Sequence, residues 1–124
     1  MTRIIVAGGR DFEDYPYLCE KMDSVLQETG DDIEIVSGHA KGADSLGERY
    51  GRERGIPVVE FRADWKRYGR NVGPVRNQQM LDYAEEARPV VVAFWDGKSK
   101  GTGDTILRAS RKGITLKVHP YGST

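Results

Sequence analysis

Ile4-Ile5-Val6-Ala7-Gly8-Gly9-Arg10-Asp11 decides how the rest of the chain is read. A run of four apolar residues, three of them β-branched, is too short for a helix and ends abruptly in two glycines. Such a run reads as a strand covered on both faces, followed by a tight turn that leaves its backbone bare. The pattern recurs downstream. Ile33-Glu34-Ile35-Val36 leads into Ser37-Gly38-His39-Ala40-Lys41-Gly42, and Val90 to Trp95 leads into Asp96-Gly97-Lys98-Ser99-Lys100-Gly101-Thr102-Gly103. A third run, Ile56 to Phe61, reaches Gly73-Pro74-Val75-Arg76-Asn77 through a polar stretch. Each of the four glycine turns opens a segment with helical spacing.

Leu18, Met22, Val25 and Leu26 mark the first helix, closed by Thr29-Gly30-Asp31-Asp32. Ala43, Leu46 and Tyr50 mark a second, ending near Gly55; a third is expected from about Pro74 to Glu86 and a fourth from about Thr102 to Lys112. Ile114-Thr115-Leu116-Lys117-Val118 alternates as a last strand. Alternating β and α elements predict an α/β three-layer sandwich, with a five-stranded, mainly parallel sheet and right-handed crossovers. The first and fourth runs are apolar throughout and belong in the middle, whereas Pro57 and Glu60 in the third, and alternation in the fifth, suit edges. The order 3-2-1-4-5 satisfies these constraints and puts the topological switch, where open α/β sheets bind ligands, between strands one and four. All four turns then meet at one sheet edge, where free N–H groups and helix N-termini favour an anion, most often a phosphate. Arg62 to Gly73, about 12 residues, is long enough to read as a functional loop.

No linker, repeat or low-complexity segment divides the 124 residues, so one domain spanning residues 1–124 is expected. With 38% hydrophobic and 31% charged residues the chain is an ordered soluble type, not a disordered one. Lys+Arg and Asp+Glu are 19 each. That balance argues against duplex nucleic acid as the partner, since duplex binding draws its affinity from a basic excess. A lone Cys19 precludes an intrachain disulfide and fits a reducing compartment. No stretch reaches the ~18 apolar residues of a membrane span, and Met1-Thr2-Arg3 runs straight into a strand, so a cytoplasmic location without membrane association is expected. Cys19, Met22 and Met80 sit at core spacing. With no Cys/His cluster beside it, His39 reads as an exposed bystander, and neither a metal nor a cofactor is expected. The sequence leaves a homo-oligomer open.

Each motif has a structural and a functional reading. Gly8 and Gly9 let a phosphate approach the backbone, and Arg10 can grip it bidentately; the plainer reading is a tight turn with a solvated arginine. The Gly-x-Gly-x-x-Gly fingerprint and the Walker A motif are both absent. Ser37, Gly38, Lys41 and Gly42 crowd a helix start; Ser37 can cap it and Asp44 can offset its dipole, but Lys41 tips the balance towards an anion site. Trp65, set among Lys66, Arg67 and Arg70, either stacks on a base or pins the loop to the body of the domain. Arg76 and Asn77 open a helix beside the other turns. Asp96 ends the most apolar strand and can take ribose hydroxyls, while Gly97, Lys98, Ser99, Lys100, Gly101 and Thr102 can hold a phosphate; the plainer reading is a solvated lysine loop with Thr102 as N-cap.

Taken together, Ile5 to Asp11, Ser37 to Asp44, Asp64-Trp65 through Arg76-Asn77, and Phe94 through Thr102 resemble the YspA/YpsA-related branch of the SLOG superfamily. The similarity runs from about Arg3 to Tyr121, with four motifs in order. It implies a Rossmann-like sheet, a bacterial or phage protein, and a pocket for nucleotides or nucleotide-derived ligands such as ADP-ribose relatives. Cousins include DNA-processing protein A, which binds single-stranded DNA, and LOG-type phosphoribohydrolases, which release a base from a nucleoside monophosphate. In the latter a Gly-Gly-x-Gly-Thr loop precedes, by three residues, a catalytic Glu. Gly101-Thr102 keeps the end of that loop, but Thr105 stands at the Glu position and Asp104 one place early.

Three functions follow. The first is a sensor or sequestering domain. In it Gly8, Gly9, Arg10, Ser37, Gly38, Lys41, Gly42, Arg76, Asn77, Gly97, Lys100, Gly101 and Thr102 surround the phosphates, with Asp44 close by, Asp96 on the sugar and Trp65 on the base. The second is a nucleotide N-glycoside hydrolase, for which Asp96 and Asp104 are the catalytic candidates, with Asp44 opposite. The third is a single-stranded DNA module built on Trp65, Lys66, Arg67 and Arg70.

Overall fold

The computed structural model describes residues 1–122. Its strands are β1 (Thr2–Gly8), β2 (Ile33–Ser37), β3 (Val58–Glu60), β4 (Arg88–Trp95) and β5 (Thr115–Pro120). Its helices are α1 (Tyr15–Thr29), α2 (Ala43–Glu53), α3 (Trp65–Tyr68), α4 (Val72–Glu85) and α5 (Lys100–Arg111). The sheet order is β3-β2-β1-β4-β5 and every pairing is parallel. The fold is therefore Rossmann-like, in the order the apolar runs require.

Side-chain alternation along the central strands divides the core into two layers. Ile4 and Val6 of β1, Ile35 of β2, and Val90, Val92 and Phe94 of β4 pack under α1 and α2. Ile5, Ala7, Val36, Val91 and Ala93 face the other way, onto α4 and α5. Gly47 lets α2 settle on β1, since a Cβ there would stand 2.8 Å from a Val6 methyl. Met22 and Met80 are core residues, and Cys19 packs half-buried against the first layer.

Three expected boundaries shift, each for a local reason. The β3 ladder is only Val58–Glu60, because Pro57 has no N–H to donate, although its carbonyl still accepts from Ile35 N–H at 2.9 Å. The Arg62–Gly73 connection is mostly helical: Asp64 caps α3 by accepting from Arg67 N–H at 3.2 Å, and a 3-10 turn (Gly69–Asn71) leads into α4. Gly73 and Pro74 are thus no turn but part of the first turn of α4, where a missing N–H costs no helical bond. The last helix starts at Lys100, with Ser99 and not Thr102 as N-cap residue. Asp96 accepts from Lys98 and Ser99 N–H groups at 2.8 Å each and bends the chain into the helix early.

Candidate functional site

The turns after β1, β2 and β4 and the start of α4 converge at the carboxyl edge of the sheet, around a cavity of about 490 Å³ at the switch between β1 and β4. The β1 turn brings Gly8, Gly9, Arg10 and Asp11 to it; the β2 turn and α2 bring Ala40 and Asp44. Helix α4 brings Arg76, Asn77 and Met80, while the β4 turn and α5 bring Asp96, Ser99, Gly101, Thr102 and Thr105.

The glycines let two turns dock backbone to backbone. Gly9 N–H donates to Phe94 O at 3.2 Å, and Gly9 O accepts from both Phe12 N–H (3.3 Å) and Ala43 N–H (3.2 Å). Gly42, at φ +77°, lies so close to Gly9 O and the Arg10 carbonyl that a Cβ would collide with both. A Cβ on Gly8 would stand 2.5 Å from Ala43 Cβ and 2.6 Å from Phe94 O. Tyr121, just past β5, covers Gly9 and donates to Asp11 Oδ1 at 2.6 Å. Among the described residues the N–H groups of Arg10 and Asp11 have no partner. Those of Lys100, Gly101 and Thr102 precede the first bond of α5, from Gly103 N–H to Ser99 O at 3.0 Å.

Three carboxylates near the cavity have different environments. Asp44 is buried, and desolvation pushes its carboxyl up to about 6 against the pull of the Ala40 N–H and the Arg76 and Arg10 guanidinia. Asp96 is held below the usual carboxylate range by the N–H groups of Ser99 and Lys98. Asp104 is not part of the cavity wall. Its Oδ2 accepts from Asn77 Nδ2 (2.9 Å) and Arg108 Nε (2.8 Å), so it positions Asn77, whose amide also reaches Gly101 O at 3.3 Å. Thr105 is buried and donates to Gly101 O at 3.3 Å, one turn back on its own helix. Arg76 donates through Nη1 to Gly38 O at 3.2 Å and rests its Nε on Gly38.

A second cavity of about 530 Å³ adjoins the first and shares Arg10, Ala40 and Arg76 with it. Lys41 and Trp65 line this second space, with His39, Arg62 and Ala63. Ser37, Gly38, Gly42, Gly97 and Lys100 line neither. Ser37 is fully buried and does not cap α2, which has Gly42 as its N-cap residue. Ser37 instead donates to Glu48 Oε2 at 2.7 Å and accepts from His39 N–H at 3.0 Å. His39 is exposed, as expected, but not a loose bystander. It is the one non-glycine at positive φ (59°) among the described residues, and its Nδ1 lies 3.0 Å from Glu48 and 3.5 Å from Glu60. Those carboxylates have other partners: Arg62 sits 3.0 Å from Glu60 and Arg52 3.8 Å from Glu48.

Sequence reading had missed Glu48, Glu60, Asp11 and Arg62. The signal for Glu48 is its i, i+4 spacing from Asp44, which puts both carboxylates on one face of α2. Nothing in the sequence marks Glu60, which reaches His39 from a different strand.

Two proteins resemble this chain to different degrees. The chain is 29% identical over 121 residues to the Gene 61 protein of Mycobacterium phage D29, covering 94% of each. It superimposes on the crystal structure of DNA processing protein A from Streptococcus pneumoniae with a TM-score of 0.51 at 17% identity. That likeness covers 93% of this chain but 57% of the other, and it concerns the fold alone. Among the described residues no helix is long and apolar enough to cross a membrane. The model of the YspA, cpYpsA-related SLOG family matches residues 2–68, just over half of the sequence, and the chain belongs to that family.

Proposed function

We propose that this member of the SLOG family binds a nucleotide or nucleotide-derived ligand, as a sensor or sequestering domain, in the cavity between the β1 and β4 turns. The observation that carries the reading is the cavity wall itself. Unpartnered backbone N–H groups from the β1 turn and the start of α5 share it with the guanidinium groups of Arg10 and Arg76. Backbone donors at helix starts and fork-shaped cations are the groups that recognise phosphate. Asp96 and Asn77 supply acceptors for sugar hydroxyls.

Thermal shift and calorimetry across 5′-mononucleotides, dinucleotides and ADP-ribose, with the matching nucleosides as controls, test the reading. Arg10→Ala removes an exposed side chain with no ion pair among the described residues, and should weaken phosphorylated ligands by about 1.5–3 kcal/mol. Nucleoside binding should stay unchanged. Equal losses for nucleoside and nucleotide, or no response to any nucleotide, would overturn it.

One observation favours a second reading, hydrolysis of an N-glycosidic bond. Asp44 and Asp96 line the same cavity and are pushed in opposite directions, the relation expected of an acid and a base in glycoside chemistry. Against it stand Thr105 at the position of the catalytic Glu of LOG-type phosphoribohydrolases and Asp104 bound to Asn77 and Arg108. Binding without turnover is the reading we favour.

A further inference from the structure

The two cavities differ sharply in charge. Three carboxylates, Asp11, Asp44 and Asp96, line the first beside Arg10 and Arg76. No carboxylate lines the second, whose wall holds Arg10, Lys41, Arg62 and Arg76 with Trp65 and His39. Arg62 is balanced by Glu60 at 3.0 Å, but Lys41 has no ion pair among the described residues. Glu48 and Glu60 lie at Nδ1 of His39, which leaves Nε2 as the free ring nitrogen. Arg10 and Arg76 belong to both walls and so stand at the boundary.

Resting on the nucleotide reading above, we infer that the second cavity is a subsite for a further phosphate: the ligand carries a pyrophosphate or longer phosphate chain, its sugar in the first cavity and its outer phosphates in the second. The backbone N–H groups and arginines of the first cavity can hold one phosphate, but its three carboxylates suit hydroxyl groups and repel further negative charge, so a polyanionic tail is driven across the arginine boundary. There Lys41 meets it as a mobile point charge, and Arg62 exchanges part of its Glu60 partnership for phosphate. A nucleoside monophosphate ends at the boundary and leaves Lys41 without a partner. Trp65, 63% exposed, lines this subsite, and a second nucleoside of a dinucleotide would stack on it. Nucleoside polyphosphates and pyrophosphate-linked dinucleotides share the required chemistry.

Calorimetry with AMP and ADP, GMP and GDP, ADP-ribose and inorganic pyrophosphate separates the possibilities. In the intact protein one diphosphate should bind about tenfold or more tighter than its monophosphate, the gain of one charge-assisted contact. Lys41→Ala should reduce that preference to about threefold or less, with the monophosphate within about twofold of its original affinity. With NAD as a pyrophosphate-linked dinucleotide probe, Trp65→Ala should weaken NAD and leave ADP unchanged if the source is a dinucleotide, and weaken neither if it is a simple polyphosphate. Monophosphates that bind as tightly as diphosphates would overturn the subsite while sparing the nucleotide reading. Silence towards every nucleotide would overturn both. Tighter binding of a single-stranded oligonucleotide than of any diphosphate, lost in Lys41→Ala, would assign the cationic wall to single strands instead.

Discussion

Asp44→Asn isolates the energetic cost of the buried carboxylate. Burial moves this group from 3.8 to about 6. At 1.36 kcal/mol per pKa unit, holding it ionised in the folded protein costs about 3 kcal/mol. The sign follows from which state holds the proton more tightly. Below pH 3.8 Asp44 is protonated in both states and costs nothing. As pH rises the unfolded chain ionises first, the folded one keeps its proton until about 6, and the penalty is complete above that. An asparagine retains an acceptor for the Ala40 N–H, now bonded to Asp44 Oδ2 at 3.2 Å, and never ionises. Urea unfolding of both proteins from pH 3.5 to 8 should therefore give curves that nearly coincide at the acid end. They should diverge between pH 4 and 6.5, with the variant the more stable by about 3 kcal/mol at pH 7.5. Other carboxylates titrate in both proteins and cancel in the difference. A difference that stays flat across this range, or a variant less stable at neutral pH, would refute the reasoning.

Gly42→Ala should destabilise by about 3 kcal/mol or more, from a strained positive φ plus collision with the Gly9 and Arg10 carbonyls, whereas Gly97→Ala, at φ +81° in open space, should cost about 1 kcal/mol. Chemical denaturation compares the two, and similar losses would mean that the turns do not touch. Ser37→Ala leaves buried Glu48 without its 2.7 Å hydrogen bond and should cost about 1–3 kcal/mol in the same assay. A stability unchanged by that substitution would remove Ser37 from the support of His39. Purified protein incubated for hours with nucleoside 5′-monophosphates should release no free base by chromatography. Sustained release abolished by Asp96→Asn would establish the hydrolase reading instead.

The strand order was legible because it depends on a coarse property. Ile4-Ile5-Val6-Ala7 and Val90 to Trp95 are apolar on both faces, and only the middle of a covered sheet accommodates that. The position of the cavity followed from the order. Local capping was harder to read, since several polar side chains compete for the same N–H groups. Ser37 looked like a cap for α2 and serves Glu48; Thr102 looked like a cap for α5, but Asp96 and Ser99 set that start. Gly73-Pro74 has the composition of a turn, yet proline is equally at home in a helical first turn, and periodicity does not choose between them. Spacing within a motif also conceals which space a residue enters: Lys41 and Asp44 are three apart but line different cavities. The partnership of His39 with Glu60 joins the β2 turn to the edge strand, beyond the reach of any local pattern.

The contact of Gly42 with the Gly9–Arg10 backbone, sealed by the bond from Ala43 N–H to Gly9 O, ties the cavity to the order in which the chain folds. The two turns follow strands that pair in parallel through a helical crossover, so their contact requires a long loop to be closed first. Until β1 and β2 are in register the turns are apart and offer a phosphate no receptor. A ligand held there meets only the finished molecule, so it should slow unfolding in proportion to its occupancy while leaving the refolding rate untouched.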